Sequence, residues 1–358
     1  MPHRKDAPAG ADDDQEVRPM AAVTMSDVAR AAGVSPMTVS NVVNGRPGVS
    51  DAVRRRVMET IEETGYRINV AARNLRAGRS GVIGLAVPEL DNPYFGELAR
   101  RIVAVAGEHD LRVAVEETGA AAEGERGAIR SSKRLDYDGL ILSTVGLDMA
   151  ELTTLPQLPL MLLGERENRS AVGHIALPNA DGAQAAAAHL IDCGARRLAF
   201  VGGPDDREPT IRSMRWAGVR AASRAAGLGD EDLRLVDCER LTMDAGREVG
   251  RRLAEQRAVG GPDGVDGIFA LTDTLAVGLI RGLVDSGLRV PEDVLVAGFD
   301  GIGVGAHLTP SLTTVEPDHD WTARRAVERL LERIAVSGPP GEDEIAPFRL
   351  VVRESTGG

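Results

Sequence analysis

Val23-Thr24-Met25-Ser26-Asp27-Val28-Ala29-Arg30-Ala31-Ala32-Gly33-Val34-Ser35-Pro36-Met37-Thr38-Val39-Ser40-Asn41-Val42-Val43-Asn44-Gly45 contains two helix starts and two helix stops. Ser26 is placed to cap a first helix, Asp27 to Ala32, and Gly33 suits the left-handed residue that ends it. Ser35 then caps a second helix whose first position is Pro36, a residue pre-set for a first turn. That helix runs from Met37 to Val43 and stops near Asn44-Gly45. Two short helices joined by a tight glycine-containing turn describe a helix-turn-helix, whose second helix lies in the major groove of DNA. Ala29, Val34, Val39 and Val42 are spaced to form a shared core. Pro36, Met37, Thr38 and Asn41 are left on the exposed, N-terminal part of the second helix, where base edges are reached. Ser50 caps a third helix, Asp51 to Thr64, closed by Gly65. Its Arg54-Arg55-Arg56 cluster fits either a phosphate contact or a solvated face.

Charge supports the reading once its distribution is considered. The whole chain of 358 residues carries −12, which by itself argues against nucleic acid. From Val23 to Arg79, however, nine arginines face five acids (Asp27, Asp51, Glu59, Glu62, Glu63), a local balance of +4. A basic segment on an acidic body draws one end toward phosphate. The first 22 residues, with Asp12, Asp13 and Asp14 and no apolar run, read as a disordered polar tail and not a secretion signal. No apolar stretch approaches the ~18 residues that span a bilayer, so no membrane is expected as a partner. Cys193 and Cys238 have no framework spacing, which points to a reducing, cytoplasmic setting. The six histidines form no ligand cluster, so neither metal nor cofactor is expected.

Beyond Val82 the pattern changes to short apolar runs alternating with helical stretches, the mark of βαβ units and parallel sheets. Strands are expected at Val82 to Pro88, Arg112 to Glu116, Gly139 to Ser143, Leu160 to Gly164 and His174 to Leu177. A second set follows at Arg197 to Gly202, Leu233 to Asp237, Gly267 to Leu271, Val294 to Gly298 and Thr313 to Glu316. Phe95 to His109 and the alanine-rich Gly182 to Cys193 read as helices. Each set is one doubly wound lobe. With aromatics at 3% of the chain, the cores must be built from Ala, Val, Leu and Ile.

Between the two regions lies Ala71-Ala72-Arg73-Asn74-Leu75-Arg76-Ala77-Gly78-Arg79-Ser80, helix-prone but too short to be stable alone in water. A leucine flanked by small residues and arginines suits a minor-groove wedge or a plain linker helix. From Val23 through Gly45, across this segment, and on to the Leu350-Val351-Val352-Arg353-Glu354-Ser355-Thr356 ending, the chain resembles the lactose-repressor (LacI) family of transcriptional regulators. The resemblance implies that paired hinge helices fold against the minor groove with Leu75 as the wedge. It also implies DNA contacts from Thr24, Ser35, Pro36, Met37, Thr38, Ser40, Asn41, Asn44, Arg54, Asn69, Ala72 and Arg73. Asn41 replaces an arginine of the family's type member, and asparagine prefers the adenine edge. Ile68 replaces a proline usual before the hinge helix, where Asn69 still serves as a cap.

The same resemblance implies a two-lobed type I periplasmic-binding-protein-like α/β domain behind the all-α helix-turn-helix. The expected layout is a tail at 1–22, the DNA-binding domain at 23–67, a hinge at 68–80 and the two-lobed domain at 81–358. The first lobe would take about 81–178 plus a crossover segment of about 301–318, and the second about 179–300 plus the C-terminal elements. Open parallel sheets bind ligands beyond the carboxyl ends of their strands, and polar groups do follow the expected strands. Asn92-Pro93-Tyr94-Phe95 resembles the family's effector loop. Glu165 and Arg166 follow the fourth strand, Arg215 matches the family's effector arginine, and Thr272, Asp273 and Asp300 end strands of the second lobe. Carboxylates that accept hydroxyl hydrogens, an arginine that donates and an aromatic against a ring together favour a carbohydrate effector.

Two other function classes fit the residues less well. An enzyme is disfavoured: Gly301-Ile302-Gly303-Val304-Gly305 lacks the spacing of a dinucleotide site, and there is no P-loop, G-x-S-x-G elbow or H-E-x-x-H. An extracytoplasmic sugar-binding protein would need a secretion signal and would have no use for residues 23 to 80. The expected function is therefore a repressor that binds a palindromic operator as a homodimer, since two-fold operators mirror two-fold proteins.

Overall fold

The computed structural model describes residues 23–43, 46–66, 79–147, 149–152, 154, 158–164, 172–202, 210–238, 240–258, 264–336 and 343–358. The chain divides into two compact units, Met1–Arg73 and Asn74–Gly358.

The first unit holds α1 (Met25–Ala32), α2 (Pro36–Val43) and α3 (Asp51–Thr64). Val28, Ala29, Ala32, Val39, Val42 and Val57 form its core, with Val34 packed at the edge. Gly33 and Gly65 end α1 and α3 in the left-handed region, both at φ +65°. The start of α1 differs from expectation. Its cap is Thr24, not Ser26: the Thr24 hydroxyl accepts from the Asp27 amide at 3.3 Å and the Asp27 carboxylate accepts from the Thr24 amide at 3.0 Å. This reciprocal pair satisfies two amide donors at once, which a single Ser26 hydroxyl would not do.

In the second unit, one sheet is built from β1 (Val82–Val87), β2 (Arg112–Glu117), β3 (Gly139–Thr144), β4 (Leu160–Gly164) and β5 (Gly173–Ala176). A second contains β6 (Leu198–Val201), β7 (Leu233–Val236), β8 (Gly267–Ala270), β9 (Leu295–Phe299) and β10 (Thr313–Pro317). Two late strands, β11 (Glu344–Ile345) and β12 (Phe348–Val351), complete the orders β11-β5-β4-β3-β1-β2 and β12-β10-β9-β8-β6-β7. Pairing is parallel except for β12 on β10. The middle strands β3 and β4 are buried along their whole length, as expected when both faces of a parallel sheet are covered. Besides a single turn at Met149–Leu152, the α-helices described are α4 (Pro93–Glu108), α5 (Ala122–Arg134), α6 (Asn179–Asp192), α7 (Ile211–Ala225), α8 (Met243–Ala258), α9 (Asp273–Asp285) and α10 (His319–Ala335).

The exchange between lobes is not the one expected. The sequence places the segment around 301–318 with the first lobe, yet its strand β10 pairs with β9 in the second. Leu312 and Val315 sit in the second lobe's core, so leaving that sheet would expose them. What crosses to the first lobe is α10, whose Ala323, Ala326, Val327 and Leu330 pack with Ile83, Ile102 and Met161, followed by β11. The chain then returns to the second lobe as β12. Among the described residues, three crossings therefore join the lobes: before α6, before α10 and between β11 and β12.

Candidate functional site

In the first unit, α2 turns Val39 and Val42 inward and leaves Pro36 and Met37 exposed, Met37 at 66%. Thr38, Ser40 and Asn41 are half-buried on the same helix. Ser35 caps this helix, its hydroxyl accepting from the Thr38 amide at 3.0 Å and paired with the Thr38 hydroxyl at 2.9 Å. The arginine cluster of α3 is divided. Arg54 donates to the carbonyls of Val42 and Arg46, each at 3.3 Å, and so ties down the C-terminal end of α2. Arg55 and Arg56 are exposed. Asn44, Asn69, Ala72, Arg73 and Leu75 lie outside the described residues, as do Glu165 and Arg166.

In the second unit, a cavity of about 260 Å³ opens between the lobes beyond the carboxyl ends of their strands. From the first lobe it is lined by Glu89, Asn92, Tyr94 and Phe95, among others; from the second by Arg212, Arg215, Arg240, Thr272 and Asp300. Six of the sequence candidates thus meet here: Asn92, Tyr94, Phe95, Arg215, Thr272 and Asp300.

Local structure holds each of them. Asn92 caps α4 through a hydrogen bond from the Tyr94 amide at 3.1 Å, with Pro93 at the helix start. Tyr94 and Phe95 meet edge to face at 4.9 Å and are also part of the first lobe's core. Thr272 caps α9, accepting from the Leu275 amide at 3.2 Å. Arg215 on α7 is 1% exposed. Its Nε donates to Asn179 Oδ1 at 2.9 Å, its Nη1 to the Leu271 carbonyl, and its guanidinium lies 3.5 Å from the centre of the Phe299 ring. Asp300 Oδ1 is 3.7 Å from Arg215 Nη2. Asp300 has φ +117°, a region rarely open to a residue with a side chain. Its amide donates to the Val315 carbonyl at 2.9 Å, and its carbonyl accepts from His319 Nε2 at 2.6 Å. Bonds on both sides of the turn hold the carboxylate toward the cleft.

Asp273 behaves differently from the expectation placed on it. It is fully buried and does not line the cavity. Its carboxylate accepts from the Thr314 hydroxyl at 2.6 Å and from the Ile302 amide at 2.9 Å, fastening the turn after β9. Burial pushes its carboxyl up to about 6 against the opposing pull of those hydrogen bonds. Sequence adjacency to Thr272 does not decide this: at a helix start, neighbouring side chains point in different directions.

Reasoning from sequence missed Glu89, Arg212 and Arg240. Burial and the neighbouring Asp91 and Glu117 push the Glu89 carboxyl above its ordinary range, and Arg240 pulls the other way. Arg240 follows β7, so the strand-end rule applied there would have found it. Arg212 precedes Arg215 by one helical turn and shares its face.

Comparison with known proteins places these features. The family described as "Bacterial regulatory proteins, lacI family" matches residues 24–69, and a "Periplasmic binding protein-like domain" matches residues 187–356. The ribose operon repressor of Halalkalibacterium halodurans is 34% identical over 336 residues, covering 94% of this chain and 97% of that protein. A lac repressor dimer solved bound to operator and the anti-inducer ONPF shares 25% identity, with a TM-score of 0.74 over 94% of this chain and 99% of that one. A lacI-family regulator from Arthrobacter sp. FB24, solved in complex with lactose, shares 30% identity and a TM-score of 0.66 over 76% of this chain and 98% of that one.

Proposed function

The chain belongs to the lacI family of bacterial regulatory proteins, and from that premise we propose that it represses transcription as an operator-bound homodimer controlled by a carbohydrate held between its lobes. One observation carries the effector half: Arg215 and Asp300, both buried, meet at a cavity wall that the two lobes share. A guanidinium that donates beside a carboxylate that accepts is the hydrogen-bond complement of a polyol. Tyr94 and Phe95 offer apolar surface to a sugar ring, and Asn92 and Thr272 add polar edges. Glu165 and Arg166 belong to the same ligand set.

For the DNA half, Pro36, Met37, Thr38, Ser40 and Asn41 read base edges from α2. Thr24, Ser35 and Asn44 meet the backbone, and Arg54, whose guanidinium holds the end of α2, acts there by fixing that helix. Residues 23–67 are the DNA-binding domain and 68–80 the hinge, with Asn69, Ala72 and Arg73 against the minor groove and Leu75 as its wedge. The effector acts by shifting a two-state equilibrium of the lobes, a coupling commonly worth ~1–3 kcal/mol. The protein performs no catalysis in this scheme and works in the cytoplasm, where its operator is.

The test joins two measurements on the intact chain. Gel retardation against fragments of the source genome should single out at least one fragment over bulk competitor DNA. Thermal denaturation against a panel of sugars, sugar acids, sugar phosphates and nucleosides should single out at least one carbohydrate, because a ligand of the native state raises the melting temperature. No fragment preferred under any condition sinks the DNA half; stabilisation by nucleosides alone sinks the carbohydrate half. Leu75→Ala should weaken operator binding far more than random-DNA binding, and equal losses would remove the wedge.

A further inference from the structure

The cavity between the lobes carries more positive charge than a neutral sugar requires. Arg215 is matched by Asp300 and lies on the Phe299 ring, so it is a neutralised hydroxyl donor. Arg212 and Arg240 line the same wall. Among the described residues, no carboxylate lies within 4.0 Å of either guanidinium, and Arg212 donates only a 3.4 Å hydrogen bond to the Cys238 carbonyl. The acid across the cleft, Glu89, is partly desolvated and crowded by Asp91 and Glu117, which outweighs the pull of Arg240 and disfavours its charged form. Guanidiniums with no carboxylate in direct contact among the described residues focus a positive potential into the concave space they line.

We propose that the effector is an anionic carbohydrate whose carboxylate or phosphate is held by Arg212 and Arg240 while its hydroxyls meet Arg215 and Asp300. This rests on the carbohydrate reading above and narrows it. Arg212 and Arg215 are three residues apart on α7, which sets their Cβ atoms about 5–6 Å apart. That is the scale separating a sugar ring from a group attached to it. A neutral polyol would satisfy Arg215 and Asp300 but leave Arg212 and Arg240 without an anion in contact. An anionic group gives them charge-assisted, fork-shaped hydrogen bonds, the geometry in which arginine excels.

The experiment is thermal denaturation and calorimetric titration of the full-length protein with matched sets: ribose, ribonate and ribose 5-phosphate; glucose, gluconate and glucose 6-phosphate; and inorganic phosphate alone. An anionic member should half-saturate the protein at a concentration at least about tenfold below its neutral parent, the effect of one charge-assisted hydrogen bond. The carboxylate and phosphate arms identify which anion is taken. Arg212→Gln and Arg240→Gln should each erode that preference; Arg240, which is exposed, should do so with the unliganded melting temperature unchanged, whereas Arg212→Gln also gives up the bond to the Cys238 carbonyl. Neutral parents binding as well as or better than their anions would overturn the proposal and leave the carbohydrate reading standing. The same holds if both variants keep the full preference. No response to any sugar, neutral or anionic, would take the carbohydrate reading down with it. Binding of inorganic phosphate as tight as that of the sugar phosphates would reduce the site to an anion site and overturn the two-part ligand.

Discussion

Glu125 on α5 shows what one buried side chain does for a site it never touches. It is fully buried, and its carboxylate accepts from the amides of Val145, Gly146 and Leu147 at 2.7–2.9 Å and from the Thr144 hydroxyl at 2.8 Å. These bonds shape the loop after β3, from which Val145 reaches the cavity. Glu125→Ala strands four donors and should cost about 3 kcal/mol, read as a drop in melting temperature; an unchanged melting temperature would show the loop holds itself. His174 on β5 makes a pH prediction. Burial takes its imidazole down to about 4 from an ordinary 6.5, and its Nε2 has no partner among the described residues. Below pH 6.5 the unfolded chain takes up this proton and the folded chain does not until about pH 4. Stability is therefore lost as pH falls through that window, by about 3 kcal/mol in all. Asp273, raised to about 6, acts in the opposite direction, so the comparison must be between wild type and His174→Leu, where it cancels. Urea denaturation at pH 7 and pH 4.5 should show wild type losing more stability than the variant; equal losses would mean that His174 protonates freely in the fold.

At the scale of elements, helix ends and helix contacts do most of the positioning. Asn92, Thr272 and Asp318 cap α4, α9 and α10, and the first two of these caps also line the cavity. A binding group that also ends a helix has little freedom to wander, which lowers the cost of ordering it around a ligand. In the first unit, the Thr24–Asp27 box anchors α1, which supports α2. Thr24→Ala should cost about 1 kcal/mol, seen as roughly fivefold faster amide hydrogen exchange along α1. Unaltered exchange there would mean that core packing alone sets the helix start. Elsewhere α8 and α9 approach backbone to backbone: a Cβ at Gly278 would collide with the Met243 carbonyl, and one at Gly282 with that of Arg247. The pair sets the slope of α9, and hence where Thr272 stands.

For the whole molecule, charge is the organising quantity. A segment of +4 precedes a body that brings the total to −12, so the acidic bulk is repelled by the phosphates that the basic segment attracts. Assuming ~6–10 phosphate contacts in an operator-bound dimer, affinity should fall roughly 10³–10⁵-fold between about 50 and 200 mM salt. A nearly flat salt profile would show that the basic segment is not what meets the DNA.

The local devices were open to a reader of the residues alone. Gly33 and Gly65 ended helices, Ser35-Pro36 began one, and ten apolar runs became strands, because caps, turns and alternation are decided by near neighbours in the chain. The polar ends of those strands led to Asn92, Tyr94, Phe95, Arg215, Thr272 and Asp300 at the cavity. Tertiary structure decided what near neighbours cannot. Strand β10 stays with the second lobe while α10 crosses to the first, because each buries its apolar face only there. The same long-range packing sends Arg54 to a helix end and Asp273 into a turn, and brings Arg212 and Arg240 to one wall. Partners in a fold are set by burial and charge across distances that no local pattern encodes.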